Sequence, residues 1–273
     1  MKVTFLVDNK TETIGCEAEW GLSMVVEANG KMILMDQGAS DMLMRNAERL
    51  GVDLAKVDFA TISHGHYDHS TGTTAFFGLN RTAPVYVHEQ AFFYEIDSLG
   101  DRNIGIPWSE EFIRENDSRI IRTSGTYQID EHTWLVGNVP SVEGFTPTDV
   151  FFMKVGDEFV PDTMEHEQTL VVEEGGVLHV FSGCSHKGFI PILRHIQSQI
   201  PGKQIATVVA GMHLYHASDE LIDQIIAEMQ EMGVKYVLPV HCTGMNAIMR
   251  FKMQMGDALR IAHSGYRFEA PLR

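Results

Sequence analysis

The stretch His64-Gly65-His66-Tyr67-Asp68-His69 constrains this chain more than any other. It follows the apolar run Val57–Ile62, which reads as a strand. A strand that ends in such a turn can aim alternate side chains at one point in space. His64 and His66 share a side by the two-residue period of extended backbone, and Asp68 and His69 then reach a second point nearby. Imidazole and carboxylate are ligands for borderline divalent metals such as zinc. A surface turn or a helix cap that happens to be rich in histidine is the bland alternative. Four ligand-type residues at H-x-H-x-D-H spacing favour the metal instead. Two adjacent donor points imply a two-metal site, and a two-metal site implies hydrolysis.

The rest of the chain sets bounds on that reading. It has 273 residues, 44% hydrophobic and 21% charged, ordinary for a globular protein that buries a sizeable core without staples. Cys16, Cys184 and Cys242 are too few and too odd for a disulfide framework, so a reducing cytoplasm is the expected compartment. The run at Met1–Asp8 is too short for a secretory signal, and no stretch approaches the length of a membrane span. A formal net charge of −16 disfavours nucleic acid and anionic membranes as partners. It leaves a small-molecule substrate, even an anionic one, because bound cations would dominate the local field. A homo-oligomer is compatible with all of this.

Strand-like and helix-like segments alternate along the whole length. Strands are expected at Val3–Asp8, Leu22–Glu27, Lys31–Met35, Val57–Ile62, Val85–His88, Leu170–Glu173, Val177–Ser182, Ile205–Ala210, Tyr236–Val240 and Tyr266–Glu269. Asn29-Gly30 and Gly175-Gly176 read as hairpin turns. Helices are expected at Asp41–Leu50 with Gly51 as its stop, Ile190–Ile200, Glu220–Met232 behind Ser218 as N-cap, and Asn246–Leu259. Early hairpins and later strand–helix units suggest an α/β protein with sheets covered by helices. Two sheet layers between two helix layers would fit, in one domain spanning 1–273. Residues 89–118 and 141–165 lack a clear period. The latter holds Phe145, Pro147, Phe151, Phe152, Phe159 and Pro161. Such segments serve as lids or binding loops, or pack over sheet edges.

Among the 13 histidines, position matters more than number. His64, His66, His69, His186, His213 and His241 all lie just past an expected strand, and ligands in open α/β folds gather beyond the carboxyl ends of strands. Ser182-Gly183-Cys184-Ser185-His186-Lys187-Gly188 offers Cys184 and His186 as ligands; the plainer alternative is a structural turn with a buried thiol. Val240-His241-Cys242-Thr243-Gly244 repeats the design with His241, while strand alternation turns Cys242 the other way, to be packed. His213 can be a ligand, a substrate contact or a proton donor. His166 precedes a strand and can reach the same point from the other direction, or lie exposed in a loop. Asp36, in Asp36-Gln37-Gly38, can accept the second N–H of a ligand histidine or close a simple turn. His88, His132, His179, His195, His216 and His263 have no ligand-like context.

With these residues in place, the chain resembles the metallo-β-lactamase fold superfamily over nearly its whole length. Residues 64–69 meet that superfamily's H-x-H-x-D-H signature, Asp36-Gln37-Gly38 resembles its Asp-x-Gly, and His241 its final histidine. Thr4-Phe5-Leu6-Val7-Asp8-Asn9, Gly21-Leu22-Ser23, Gly183–Gly188 and His241–Gly244 resemble the subgroup labelled dihydropterin–ribofuranosylaminobenzene-phosphate synthase-like. Ala210-Gly211-Met212-His213-Leu214 stands where that subgroup usually has Gly-Gly-Phe-His-Leu. The resemblance implies an αββα four-layer sandwich. It departs at the middle motifs, where Gly183-Cys184 stands in place of a Gly-Asp pair with a metal-bridging carboxylate. In one register His166 is the third histidine of the first metal and Cys184 replaces the bridging carboxylate; in another His186 completes the first site.

The expected activity is metal-dependent hydrolysis of a small ester or phosphoester by a metal-bound hydroxide. His64 and His66, with His186 or His166, would hold metal one; Asp68, His69 and His241 would hold metal two. Asp68 would also orient the nucleophile, and His213 or Lys187 would stabilise developing negative charge. The cofactor is one or two zinc ions, with iron or manganese as other candidates. Three alternatives stand beside this: a pterin-pathway synthase-type transfer with the metal as Lewis acid, a metal-binding sensor without turnover, and iron-based redox chemistry.

Overall fold

Period-two alternation in the strands decides the layers. In the computed structural model, which describes all residues except 99, 101, 146–149 and 271–273, two large sheets form. The first takes β1 (Lys2–Val7), β2 (Ser23–Ala28), β3 (Lys31–Met35), β4 (Phe59–Thr61), β5 (Val85–His88), β7 (Ile120–Thr123) and β16 (Arg267–Glu269), in the order β16-β1-β2-β3-β4-β5-β7. The second takes β8 (Thr126–Asp130), β9 (Thr133–Gly137), β12 (Gln168–Glu174), β13 (Val177–Ser182), β14 (Gln204–Ala210) and β15 (Tyr236–Pro239), in the order β15-β14-β13-β12-β9-β8. A small third sheet joins β6 (Glu95–Asp97), β10 (Phe151–Val155) and β11 (Glu158–Pro161).

Alternate residues of the large sheets go to opposite cores. Phe5, Met24 and Ile33 of the first sheet pack with Leu170, Phe181 and Val209 of the second, which places one core between the sheets. Their neighbours Leu6, Val25 and Leu34 turn outward onto Leu43 and Ala47 of α1 (Met42–Leu50). On the far side, Val171, Val180 and Val208 meet Ile192 and Ile196 of α5 (Phe189–Gln199), Ile222 and Ile226 of α6 (Asp219–Glu231), and Phe251 of α7 (Met245–Met255). The result is the expected αββα sandwich. Among the described residues no helix is long and apolar enough to cross a membrane.

Local chemistry sets the boundaries. Asn29 and Gly30 have φ of 51° and 74°, the left-handed pair that a tight hairpin between β2 and β3 needs. The Ser218 hydroxyl accepts from Leu221 N–H at 3.3 Å and caps α6. Helix α7 ends at Met255 rather than Leu259, because Gly256 turns to φ 55°. The stretches without a clear period behave differently from a free loop. Residues 95–97 of one pair with residues 151–153 of the other in the third sheet, and α4 (Glu110–Glu115) follows. Pro147 lies outside the described residues. Helices α2 (Tyr67–Ser70) and α3 (Thr73–Leu79) and strands β7 to β9 were not evident from periodicity.

Strand direction places the site. β1, β3 and β4 point the same way in the first sheet, and β13, β14 and β15 run parallel in the second. The sheets are joined where these strands end. Gln168 donates its backbone N–H to the Ser63 carbonyl at 2.7 Å and its side-chain amide to Ile62 at 2.8 Å. His241 N–H reaches Asp8 Oδ1 at 3.3 Å.

Phe181, fully buried between the sheets, tests this packing. Phe181→Ala is expected to cost about 3–5 kcal/mol, read from the denaturant midpoint of unfolding. A loss below about 1 kcal/mol would contradict the layer assignment.

Candidate metal centre

Two strand ends supply the first group of donors. His64 and His66 follow β4, and His186 follows β13; ligand atoms of the three lie within 4.8 Å of one another. His64 Nδ1 sits 2.9 Å from the Ser63 hydroxyl, which itself donates to Asp36 Oδ2 at 2.8 Å. That chain puts the His64 proton on Nδ1 and leaves the Nε2 lone pair facing His66 Nδ1, 3.0 Å away. His186 Nε2 is buried with no hydrogen-bond partner among the described residues. Burial holds His64 and His186 well below the ordinary imidazole range and pushes His66 down to about 3. Three neutral imidazoles with converging lone pairs fit a divalent cation.

The second group comprises Asp68, His69 and His241, again with donor atoms within 4.8 Å. Asp68 Oδ2 lies 3.3 Å from His241 Nε2 and 3.8 Å from His69 Nε2. His69 donates Nδ1–H to Asp36 Oδ2 at 2.6 Å, and His241 donates Nδ1–H to Asn9 Oδ1 at 2.8 Å. Both rings are thus fixed with Nε2 toward Asp68. Burial opposes charge on His69, but the Asp36 and Asp68 carboxylates outweigh it and raise the ring to about 9. Burial would also raise Asp68, yet His69 and His241 hold it well below the usual carboxylate range. The two groups adjoin, with His64 and His69 ring centroids 4.2 Å apart.

Backbone strain concentrates here. Asp36, Ser185, His213 and His241 all adopt left-handed φ, from 47° to 60°, which non-glycine residues seldom hold without a functional reason. Glu167, which the sequence did not single out, accepts the backbone N–H groups of His186 at 2.7 Å and Lys187 at 2.8 Å and so positions the loop after β13. Asn9 likewise carried no histidine or acid signal of its own.

The other predicted residues fall in distinct places. His166 is buried, not exposed, and both ring nitrogens are engaged. Nδ1 accepts from Gly65 N–H at 3.0 Å, and Nε2 faces Asp162 at 3.0 Å and Glu95 at 3.2 Å. It braces the His64–His66 turn, and His186 takes the place beside His64 and His66. Lys187 does not line the cavity. Its ammonium is bound by the Thr163 carbonyl at 2.9 Å and the Glu165 carboxylate at 2.8 Å, which corrects its expected role as an anion-stabilising group. His213 faces the cavity, its ring 4.6 Å from that of His186. Cys184 is buried, with Sγ 3.3 Å from His69 Nε2. Cys242 is packed as expected, but its direction is not the expected one. Strand alternation fails at His241, whose φ of 47° starts a short helical turn, and Cys242 faces the same cavity as His241.

That cavity measures about 540 Å³. His66, Asp68, Cys184 and His241 line its floor; Trp20, Arg102 and Phe151 line its walls. The Arg102 guanidinium lies 4.8 Å over the Tyr67 ring and donates to its hydroxyl at 2.9 Å. Trp20 stacks on Tyr215 at 5.5 Å and meets the His241 ring edge-on at 5.2 Å. Phe151, from the third sheet, contacts the rings of His66 and His186 at 4.9 and 5.0 Å.

Comparison with known proteins gives concordant findings. The family model described as the Metallo-beta-lactamase superfamily matches residues 21–188. The crystal structure of Tm1679, a metal-dependent hydrolase of the beta-lactamase superfamily, is 32% identical and superposes with a TM-score of 0.85, covering 99% of each chain. The 7,8-dihydropterin-6-methyl-4-(beta-D-ribofuranosyl)-aminobenzene-5'-phosphate synthase of Methanocaldococcus jannaschii is 26% identical over 269 residues, 91% of this chain and 89% of its own. An uncharacterized protein of the same organism is 29% identical over 251 residues, 91% of this chain and 93% of its own.

Asp36 reaches both groups of donors without belonging to either. Asp36→Asn is expected to weaken metal binding by roughly ten- to hundredfold, the usual cost of losing a partner that orients a ligand. Competition against a chelator measures it, and unchanged affinity would contradict the hydrogen-bond chain described.

Proposed function

The chain belongs to the metallo-beta-lactamase superfamily, and from that premise we propose that it is a metal-dependent hydrolase of a small ester or phosphoester with a dinuclear centre. The observation that carries this is the convergence of two donor groups, one of His64, His66 and His186 and one of Asp68, His69 and His241, at an open cavity. Donor groups dominated by imidazole nitrogen favour zinc over metals that prefer oxygen. Held by these two groups, such ions would supply Lewis acidity toward water and the attacked carbonyl or phosphoryl bond.

The chain's own residues supply the rest. Asp68 carries its carboxylate between His69 and His241, where it can orient the nucleophile and hold a proton. His213 faces the same space and serves as proton donor to the leaving group. Arg102 places a cation on the wall, suited to an anionic end of the substrate. Phe151 and Trp20 exclude water from the reacting bond. A cavity that opens onto the donors weighs against a sensor, since structural zinc sites are closed by four protein ligands.

A second reading, a synthase-type transfer with the metal as Lewis acid, draws support from the likeness to the M. jannaschii synthase. The two readings share the donor groups and differ in what displaces the leaving group.

Elemental analysis of purified protein should find two metal ions per chain, chiefly zinc. A panel of phosphodiester, lactone and thioester substrates should reveal turnover that chelation abolishes and added zinc restores. His66→Ala should lose metal and turnover together; full activity in that variant would refute the assignment.

A further inference from the structure

Two sulfurs meet beside the donors already described. Cys184 follows β13, Cys242 follows β15, and both are buried. Ligand atoms of Cys184, His241 and Cys242 all lie within 4.8 Å of one another. Metal–sulfur bonds near 2.3 Å and metal–nitrogen bonds near 2.0 Å place neighbouring ligands of a tetrahedral ion roughly 3.5–3.8 Å apart. Shifts of about 1 Å or less would therefore close this trio on one cation.

The backbone is arranged to bring the sulfurs together. Gly211 N–H donates to the Gly183 carbonyl at 3.0 Å, and Leu214 N–H donates to the Cys242 carbonyl at 3.2 Å. These bonds tie the loop after β14 to the loops that carry each cysteine. A Cβ at Gly211 would stand 2.2 Å from the Gly183 carbonyl oxygen and 2.8 Å from Cys242 Sγ. Only glycine permits that approach.

We propose that Cys242 is a metal ligand, and that Cys184, Cys242 and His241 give the second metal position a two-thiolate character that selects zinc, cobalt or cadmium over manganese or magnesium. The inference rests on the metal-centre reading above and adds to it a ligand and a preference. On binding, each thiol releases its proton to solvent and a metal–sulfur bond forms, with no electron transferred.

Cobalt(II) is the probe. Thiolate-to-cobalt charge transfer absorbs in the near ultraviolet with an intensity that follows the number of coordinated thiolates, and cobalt held by imidazole and carboxylate lacks that band. The full chain, stripped by a chelator and reloaded with cobalt(II), should show it. Cys184→Ser and Cys242→Ser should each keep about half of the band, and the double variant none, while cobalt stays at His64, His66 and His186. Cadmium retention by Cys242→Ser should fall by at least the roughly ten- to hundredfold seen when a ligand loses its hydrogen-bonding partner. Cys242→Asp should restore binding with preference shifted toward manganese. Loss in Cys242→Ser without that restoration counts against ligation. A full band with unchanged cadmium retention in Cys242→Ser overturns the proposal and leaves the metal-centre reading intact. A wild-type chain that binds no cobalt overturns both.

Discussion

The carboxylate of Asp36 is the point from which the site is built. It is fully buried, and a buried carboxylate costs several kcal/mol unless it is paired and hydrogen-bonded. Asp36 meets that requirement with the Ser63 N–H at 2.7 Å, the Ser63 hydroxyl at 2.8 Å and His69 Nδ1 at 2.6 Å. Three separate pieces of chain, the end of β3, the end of β4 and helix α2, are thereby fixed to one charged group. The orientation of His64 follows through Ser63, and that of His69 directly. A left-handed backbone at Asp36, with a cost of order 1–3 kcal/mol, is held in place because these contacts over-determine it.

Much of this was legible in the chain itself. Strand alternation at Met24–Val26 or Val208–Ala210 dictates two buried faces, and Ser218 and Gly51 mark helix ends by ordinary capping chemistry. The H-x-H-x-D-H turn named four candidate donors, the rule that ligands gather past strand ends named His186 and His241, and the fold brings these six side chains together. What stayed hidden has a physical reason in each case. Whether His166 or His186 stands beside His64 depends on Glu95 of β6 and Asp162 just past β11, which reach His166 only after folding. Lys187 is captured by a carboxylate in a loop with no periodic signal. The direction of Cys242 turns on a single positive φ at His241, which strand periodicity cannot foresee.

The places where local rules fail are also the places where the chemistry lies. Left-handed Asp36, Ser185, His213 and His241 coincide with the buried histidines and acids of the two donor groups at one edge of the sandwich, while the cores on either side obey simple patterning. The donor set there is mixed. Nitrogen dominates the first group, whereas oxygen, nitrogen and sulfur meet around the second. On the dinuclear reading proposed above, two neighbouring positions with different ligand chemistry would hold their cations with unequal strength and fill stepwise.

The third sheet has a mechanical consequence. Its strands come from segments separated by more than fifty residues, yet Glu95 and Asp162 both lock onto His166, and His166 accepts from the backbone of the donor turn itself. Phe151 is thus carried on a strand whose sheet is tied, through His166, to the donor turn. On the reading proposed above, a molecule entering the slot would be gripped calliper-like between Phe151, Trp20 and Arg102, so the mounting of Phe151 would bear on which shapes are admitted.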